Sequence, residues 1–255
     1  MKNESSQKVA LVTGGSRGIG AATCLLLAKA GYTVVVNYTS HKASADKVCE
    51  AITLAGGSAL SVQADVSNEA QVLAMFAAID AKFGRLDALV NSAGVVDMTA
   101  RLNEMSTARL QRMMNINIIG SMVCAREAVK RMSTKLNADN HGGSIVNLSS
   151  AAAKIGAPGQ YLDYAVSKGA INTFTMALSK EVAAEGIRVN GVSPGVIDTE
   201  IHASGGLPDR VAQMAASLPM GRAGTAEEVA EAICWLVSDA ASYVSGTTID
   251  VAGAR

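Results

Sequence analysis

Val9-Ala10-Leu11-Val12-Thr13-Gly14-Gly15-Ser16-Arg17-Gly18-Ile19-Gly20 is the stretch from which the rest of the chain is read. Its first four residues form a short apolar strand. Glycines follow, and then a helical stretch from Ala21 to Ala30, with Gly31 as the glycine that ends it. A strand that turns through glycines into a helix N-terminus is an anion site, because free backbone N–H groups and the helix dipole both face the ligand. The spacing is Gly-x-x-x-Gly-x-Gly, not the commoner Gly-x-Gly-x-x-Gly, so the strand-to-helix context carries the reading and the glycine count does not.

Outward from this turn, strands alternate with helices. Tyr32 to Asn37 reads as the second strand. A helix around Ala43 to Ala55 ends at Gly56, and Leu60, Val62 and Ala64 mark a third strand that stops at Asp65. Ser67 is placed to cap the next helix, with Glu69 in its first turn and Gly84 at its end. Leu86 to Val90, Ser144 to Leu148, Arg188 to Val192 and Thr248 to Val251 supply four more strands. Thr225 and Glu228 have the spacing of a capping box before the helix that contains Trp235. This alternation predicts an α/β fold: one doubly wound domain over residues 1–255, with a seven-stranded parallel sheet, helices on both faces and right-handed crossovers.

Composition narrows the function. The chain has 255 residues, 49% of them hydrophobic, and a formal net charge of +0, so no long-range field draws it to nucleic acid or an anionic membrane. No apolar run approaches the ~20 residues of a membrane-spanning helix, and the polar start has no signal core. Cys24, Cys49, Cys124 and Cys234 show no metal or disulfide spacing and read as small buried hydrophobes in a reducing cytoplasm. His41, His141 and His202 are scattered through loop-like stretches, and no metal site is expected.

Tyr164 and Lys168 stand four residues apart, one helical turn on one face. A phenol ionises near ~10, and an adjacent ammonium favours phenolate, so the pair is a candidate acid/base unit. An isolated Tyr-x-x-x-Lys is usually two neighbouring helix residues, and the surrounding chain is what changes that reading. Gly143 to Ser150 is a strand that ends in two hydroxyls, where α/β sheets place ligands. Ser150 is the candidate donor to a substrate carbonyl, with Ser149 as its alternative. Asn117 is polar within an apolar helical stretch, and it either faces solvent or satisfies a network near the site.

Together, Thr13 to Gly20, Asp65-Val66, Asn91-Ser92-Ala93-Gly94, Asn117, Ser150, Tyr164, Lys168 and Pro194-Gly195 with Thr199 resemble the short-chain dehydrogenase/reductase family. The resemblance runs from residue 8 to residue 253 and is closest to bacterial 3-oxoacyl-carrier-protein reductases, glucose dehydrogenases and uncharacterised oxidoreductases of that group. It implies a Rossmann domain with catalytic Asn117, Ser150, Tyr164 and Lys168. Gly14, Ser16, Arg17, Gly18, Ile19 and Gly20 would cradle a dinucleotide, with Tyr38, Thr39 and Ser40 beside them. Asp65 and Val66 would hold the adenine, and Asn91, Ala93 and Gly94 would line its ribose and the sheet floor. Pro194, Gly195, Ile197 and Thr199 would meet the nicotinamide, and Lys168 its ribose. Asn117 would hold a water that links Lys168 to solvent. The resemblance also implies a homotetramer or a homodimer. Ser92 departs from the family's usual asparagine, the Ser150-to-Tyr164 interval is one residue longer than in many relatives, and the chain end lacks a glycine pair.

The second strand ends Val36-Asn37-Tyr38-Thr39-Ser40 without a carboxylate that would bind a 2′-hydroxyl and repel a 2′-phosphate. Arg17 offers a fork of donors, Ser40 a hydroxyl and Lys42 further charge, so NADP(H) is expected over NAD(H). The expected reaction is hydride transfer between NADP(H) and a small ketone, sugar or other carbonyl, with Ser150, Tyr164 and His202 touching substrate. Tyr161 lacks a lysine four residues on and is expected to pack or to touch substrate. One alternative is a 3-oxoacyl-[acyl-carrier-protein] reductase, which predicts a basic patch near the segment after Thr199. Another, of a different class, is a catalytically silent module that senses NADP(H).

Overall fold

The computed structural model describes residues 7–255, apart from the side chain of His202; the polar start at residues 1–6 lies outside the described residues. In chain order, β1 (Val9–Thr13) leads through the glycine turn to α1 (Gly18–Lys29). β2 (Thr33–Tyr38), α2 (Lys42–Leu54), β3 (Ser58–Gln63), α3 (Glu69–Phe83) and β4 (Ala88–Asn91) follow. Next come α4 (Thr107–Met114), a π-helical turn at Asn115–Gly120, and α5 (Ser121–Met132). β5 (Gly143–Leu148), the short α6 (Ala152–Ile155), α7 (Leu162–Val182) and β6 (Ile187–Pro194) precede α8 (Ile201–Ser204), α9 (Arg210–Met214), α10 (Ala226–Val237) and β7 (Thr248–Val251).

The seven strands form one all-parallel sheet in the order β3-β2-β1-β4-β5-β6-β7. Strand residues alternate between two cores. Ala10, Val12, Val34 and Val36 pack with Leu27, Ile52 and Ile233 of α1, α2 and α10. Val9, Leu11 and Val35 pack on the other face with Phe76, Ile79 and Ala128 of α3 and α5. Burial on both faces is why β1 and β2 read as continuous apolar runs and not as alternating ones. Successive strands run outward from β1 in both directions, so β1 and β4 are neighbours in space though far apart in sequence. The crevice beyond their C-terminal ends is where an open α/β sheet binds ligands.

One local expectation changes, and one open alternative closes. The cap of α3 is Asn68, whose side chain accepts from the N–H of Gln71, and not Ser67. Ser67 turns back instead, and both its N–H and its hydroxyl donate to Asp65. Asn117 faces the interior, 1% exposed, in the π-helical turn. The capping box of α10 forms as expected: the Thr225 side chain accepts from Glu228 N, and the Glu228 carboxylate accepts from Thr225 N. All four cysteines are free, and among the described residues no His, Cys, Asp or Glu cluster is placed to hold a metal. No described helix is long and apolar enough to cross a membrane.

Candidate active site

One cleft of about 710 Å³ opens at the C-terminal ends of β1, β2, β4, β5 and β6. Of the site residues expected from sequence whose side chains are described, all but Asn91 and Asn117 line it. The His202 side chain lies outside the described residues.

The glycine turn forms one end of the cleft. Gly20 packs so tightly on the turn that a Cβ there would lie 2.3 Å from the Gly14 oxygen. Gly14, at φ +64°, would bring a Cβ within 2.9 Å of Ala93 Cα. The Arg17 side chain makes no capping bond at the start of α1, so the first N–H groups of that helix have no side-chain cap. A cradle that only glycine fits, with uncapped donors above it, suits the diphosphate of a dinucleotide. Asn37 holds the cradle from below: its side chain accepts from Gly14 N and donates to Val62 O and Ala64 O. Thr13 supports the far wall by accepting from the N–H groups of Ser92 and Ala93.

Two cofactor-side expectations need correction. Asn91 is buried beneath the floor, not in it; its side-chain amide donates to Asn147 Oδ1 and Ser121 O, because the β4 register turns that side chain toward β5 and α5. Lys42 is tied to Asp46 at 2.6 Å on the outer face of α2 and does not line the cleft.

Lys168 is 5% exposed, and its Nζ donates to the Leu148 oxygen at 2.7 Å, 5.6 Å from the Tyr164 ring centroid. Burial pulls its ammonium down to about 8. Burial pushes the Tyr164 phenol up, and the hydrogen bond with Ser150 opposes that shift. The phenol therefore stays protonated at neutral pH. Ser150 accepts from Ala152 N and bonds to Tyr164, whereas Ser149 is buried and donates to Lys168 O. Of the two hydroxyls, only that of Ser150 faces the tyrosine. Asn117 Oδ1 accepts from Val95 N, and its amide donates to Val95 O and to Ser167 Oγ on α7. It thus binds the β4 loop to the helix that carries Tyr164 and Lys168.

Sequence reasoning missed the ion pair of Arg109 with Asp163, at 2.8 and 3.1 Å, because 54 residues separate the partners. It also missed Arg255, which β7 returns to the cleft. Tyr161 is buried, and its hydroxyl donates to Gly205 O. Arg222, downstream of Thr199 where the carrier-protein alternative would want free cations, is paired with Glu228 at 2.6 Å.

A family model described as Enoyl-(Acyl carrier protein) reductase matches residues 14–253. An uncharacterised oxidoreductase of Escherichia coli strain K12, YgfF, is 55% identical, with 97% of this chain and 99% of that protein aligned. The chain belongs to the short-chain dehydrogenase/reductase family. The cis-4-hydroxycyclohexanecarboxylate dehydrogenase of Sinomonas cyclohexanicum is 41% identical, covering 97% of this chain and 96% of that one. The solved structure of a double mutant of a Serratia marcescens short-chain dehydrogenase/reductase superposes with a TM-score of 0.87 at 33% identity, covering 99% of both chains. This short-chain dehydrogenase/reductase is an oxidoreductase that acts between CH–OH and C=O groups of a small molecule with a nicotinamide cofactor.

Proposed function

We propose that the chain moves hydride between NADP(H) and a small ketone or secondary alcohol at Ser150, Tyr164 and Lys168. The observation that carries this reading is a tyrosine hydroxyl beside the Ser150 hydroxyl, with a buried lysine 5.6 Å from its ring, in the cleft that also holds the glycine cradle. The bound nicotinamide supplies or accepts the hydride. Ser150 and the Tyr164 hydroxyl form a pair of donors for the oxygen that develops negative charge. Tyr164 gives that oxygen its proton in reduction and takes it back in oxidation. Lys168, held by Leu148 O, keeps a positive charge close beneath the phenol, and Asn117 fixes the helix that carries both residues.

NADP(H) is favoured because Arg17 is exposed at the cradle, its side chain forms no hydrogen bond or ion pair among the described residues, Ser40 lines the same cleft, and β2 ends without a carboxylate. The four free cysteines suit a reducing cytoplasm. Ile119, Met122, Val166 and Met176 are exposed apolar residues on the π-helical turn, α5 and α7. They support a homotetramer or homodimer, which light scattering on the eluted protein tests.

The deciding experiment is a panel of carbonyl substrates with NADPH, run on the native protein and on Tyr164→Phe. The native protein should turn over at least one class. The variant should bind NADPH but lose turnover by several orders of magnitude. Equal rates would overturn the mechanism. A native protein that binds NADPH tightly and reduces nothing would shift the reading to a sensor.

A further inference from the structure

The charged residues of the cleft divide by place. Arg17, His41 and Asp65 surround the adenosine end. Glu200 stands close to Gly18, and its Oε2 lies 3.9 Å from where a Gly18 Cβ would be. Asp97 is matched by Arg112 at 3.2 Å. Lys168 lies under the reacting phenol. Arg210 and Arg255 remain, and neither forms an ion pair among the described residues.

Arg210 is half-buried and Arg255 is exposed. Arg210 lies over the Tyr161 ring, 5.3 Å from its centroid, and donates to Gln160 Oε1 at 3.3 Å. Tyr161 is three residues before Tyr164, so Arg210 stands at the substrate end of the cleft. Arg255 approaches from β7, with one guanidinium nitrogen 4.0 Å from Met214 Sδ. Burial, and then the charge of Arg210, hold the Arg255 guanidinium below its ordinary range. Two like charges turned toward one cavity repel each other, and an anion between them relieves that repulsion. Around them the wall is apolar and small, with Val96, Ile155 and Ala157.

We propose that Arg210 and Arg255 form a carboxylate clamp, and that the substrates of this site are short oxo acids and the corresponding hydroxy acids. The proposal rests on the hydride-transfer reading above. The planar fork of arginine matches a carboxylate with two parallel hydrogen bonds. The clamp holds the acid group while the apolar body of the substrate lies along Val96 and Ile155, with its carbonyl carbon toward Ser150 and Tyr164.

The test compares each acid with its own methyl ester, using 4-oxocyclohexanecarboxylate and 4-oxopentanoate with NADPH. The native protein should prefer acid over ester by about tenfold or more in kcat/KM. That ratio should fall toward one in Arg210→Gln and in Arg255→Gln, and be partly kept in Arg210→Lys. Because the ratio is internal to each variant, a general loss of stability cancels. A native ratio near one, or a ratio unchanged in both variants, overturns the clamp. If neither acid nor ester turns over, the hydride-transfer reading has failed, and calorimetric titration of the NADP⁺-loaded protein with 4-oxocyclohexanecarboxylate still decides the clamp. Binding lost in both glutamine variants supports it. Absent binding, or binding equal in native protein and variants, overturns it.

Discussion

Lys168 donates from Nζ to the main-chain oxygen of Leu148 at 2.7 Å, so the last residue of β5 holds the ammonium under the phenol of Tyr164. The C-terminal end of a central strand is thereby joined to the helix that carries Tyr164 and Lys168. Burial brings this ammonium down to about 8 while the phenol is pushed up. The first group to change charge as pH rises is therefore the lysine.

For carbonyl reduction, kcat/KM should be level at lower pH and fall as the pH rises through about 8, where Lys168 loses its proton and its field at the phenol. The sign follows from the depressed value: the charged form is present below it and lost above it. Lys168→Arg should keep whatever activity it retains without that falling limb. A pH profile of kcat/KM for both proteins checks this, and a native profile with no change between neutral pH and the range where phenols ionise would refute it.

Arg109 and Asp163 form a two-bond ion pair whose side chains are 12% and 0% exposed. Asp163 also accepts from Tyr164 N, and Arg109 donates to Met98 O, so the pair ties the β4 loop to the start of α7. Removing one partner of a buried pair leaves the other without compensation, and Arg109→Met should lower stability by about 3–5 kcal/mol in urea unfolding. The double variant Arg109→Met with Asp163→Leu should recover most of that loss, since an apolar replacement of both partners leaves no charge unpaired.

Gly20→Ala would place a Cβ 2.3 Å from the Gly14 oxygen, closer than any side chain can yield to, so the turn must open. NADPH affinity should fall by more than about a hundredfold, with a lowered Tm. Gly94→Ala is the control within the same cleft, because its Cβ would meet Asn117 Oδ1 at 3.5 Å and Lys168 Nζ at 3.6 Å, both ordinary contacts. The control should keep the fold and most of the cofactor affinity. Fluorescence titration and thermal melting separate the two variants.

Arg17→Gln should raise KM for NADPH by about tenfold or more while moving KM for NADH little, the size expected when one charged hydrogen bond to a phosphate is lost. Steady-state kinetics with both cofactors measure this. An equal rise for the two would mean that Arg17 serves the shared diphosphate and not the 2′-phosphate.

The strands and the glycine turn were legible because their signals are local. β7 coincides with its expected bounds, and the alternation of strand and helix was enough to call a parallel sheet. The Tyr164–Lys168 spacing placed both on α7, since four residues are one helical turn. Choices between neighbours were not legible. Ser67 and Asn68 are both good caps, and Ser149 and Ser150 are both strand-end hydroxyls. In each case the direction of the side chain settled the matter, and that direction comes from strand register and from what packs opposite.

The amino-acid order alone was sufficient for the fold class, the glycine turn after β1 and the placing of Tyr164 and Lys168 one turn apart on α7, because glycine conformation, helical periodicity and strand propensity act over a few residues. Folding in three dimensions brought Arg109 to Asp163, and Arg255 into a cleft with Arg210. It also set the surroundings of the tyrosine: burial, a property of the assembled core, pushes the phenol up, and the nearby lysine is itself held to Leu148. Charge and solvent exposure depend on everything within several ångströms of a group, and most of those neighbours come from distant parts of the chain.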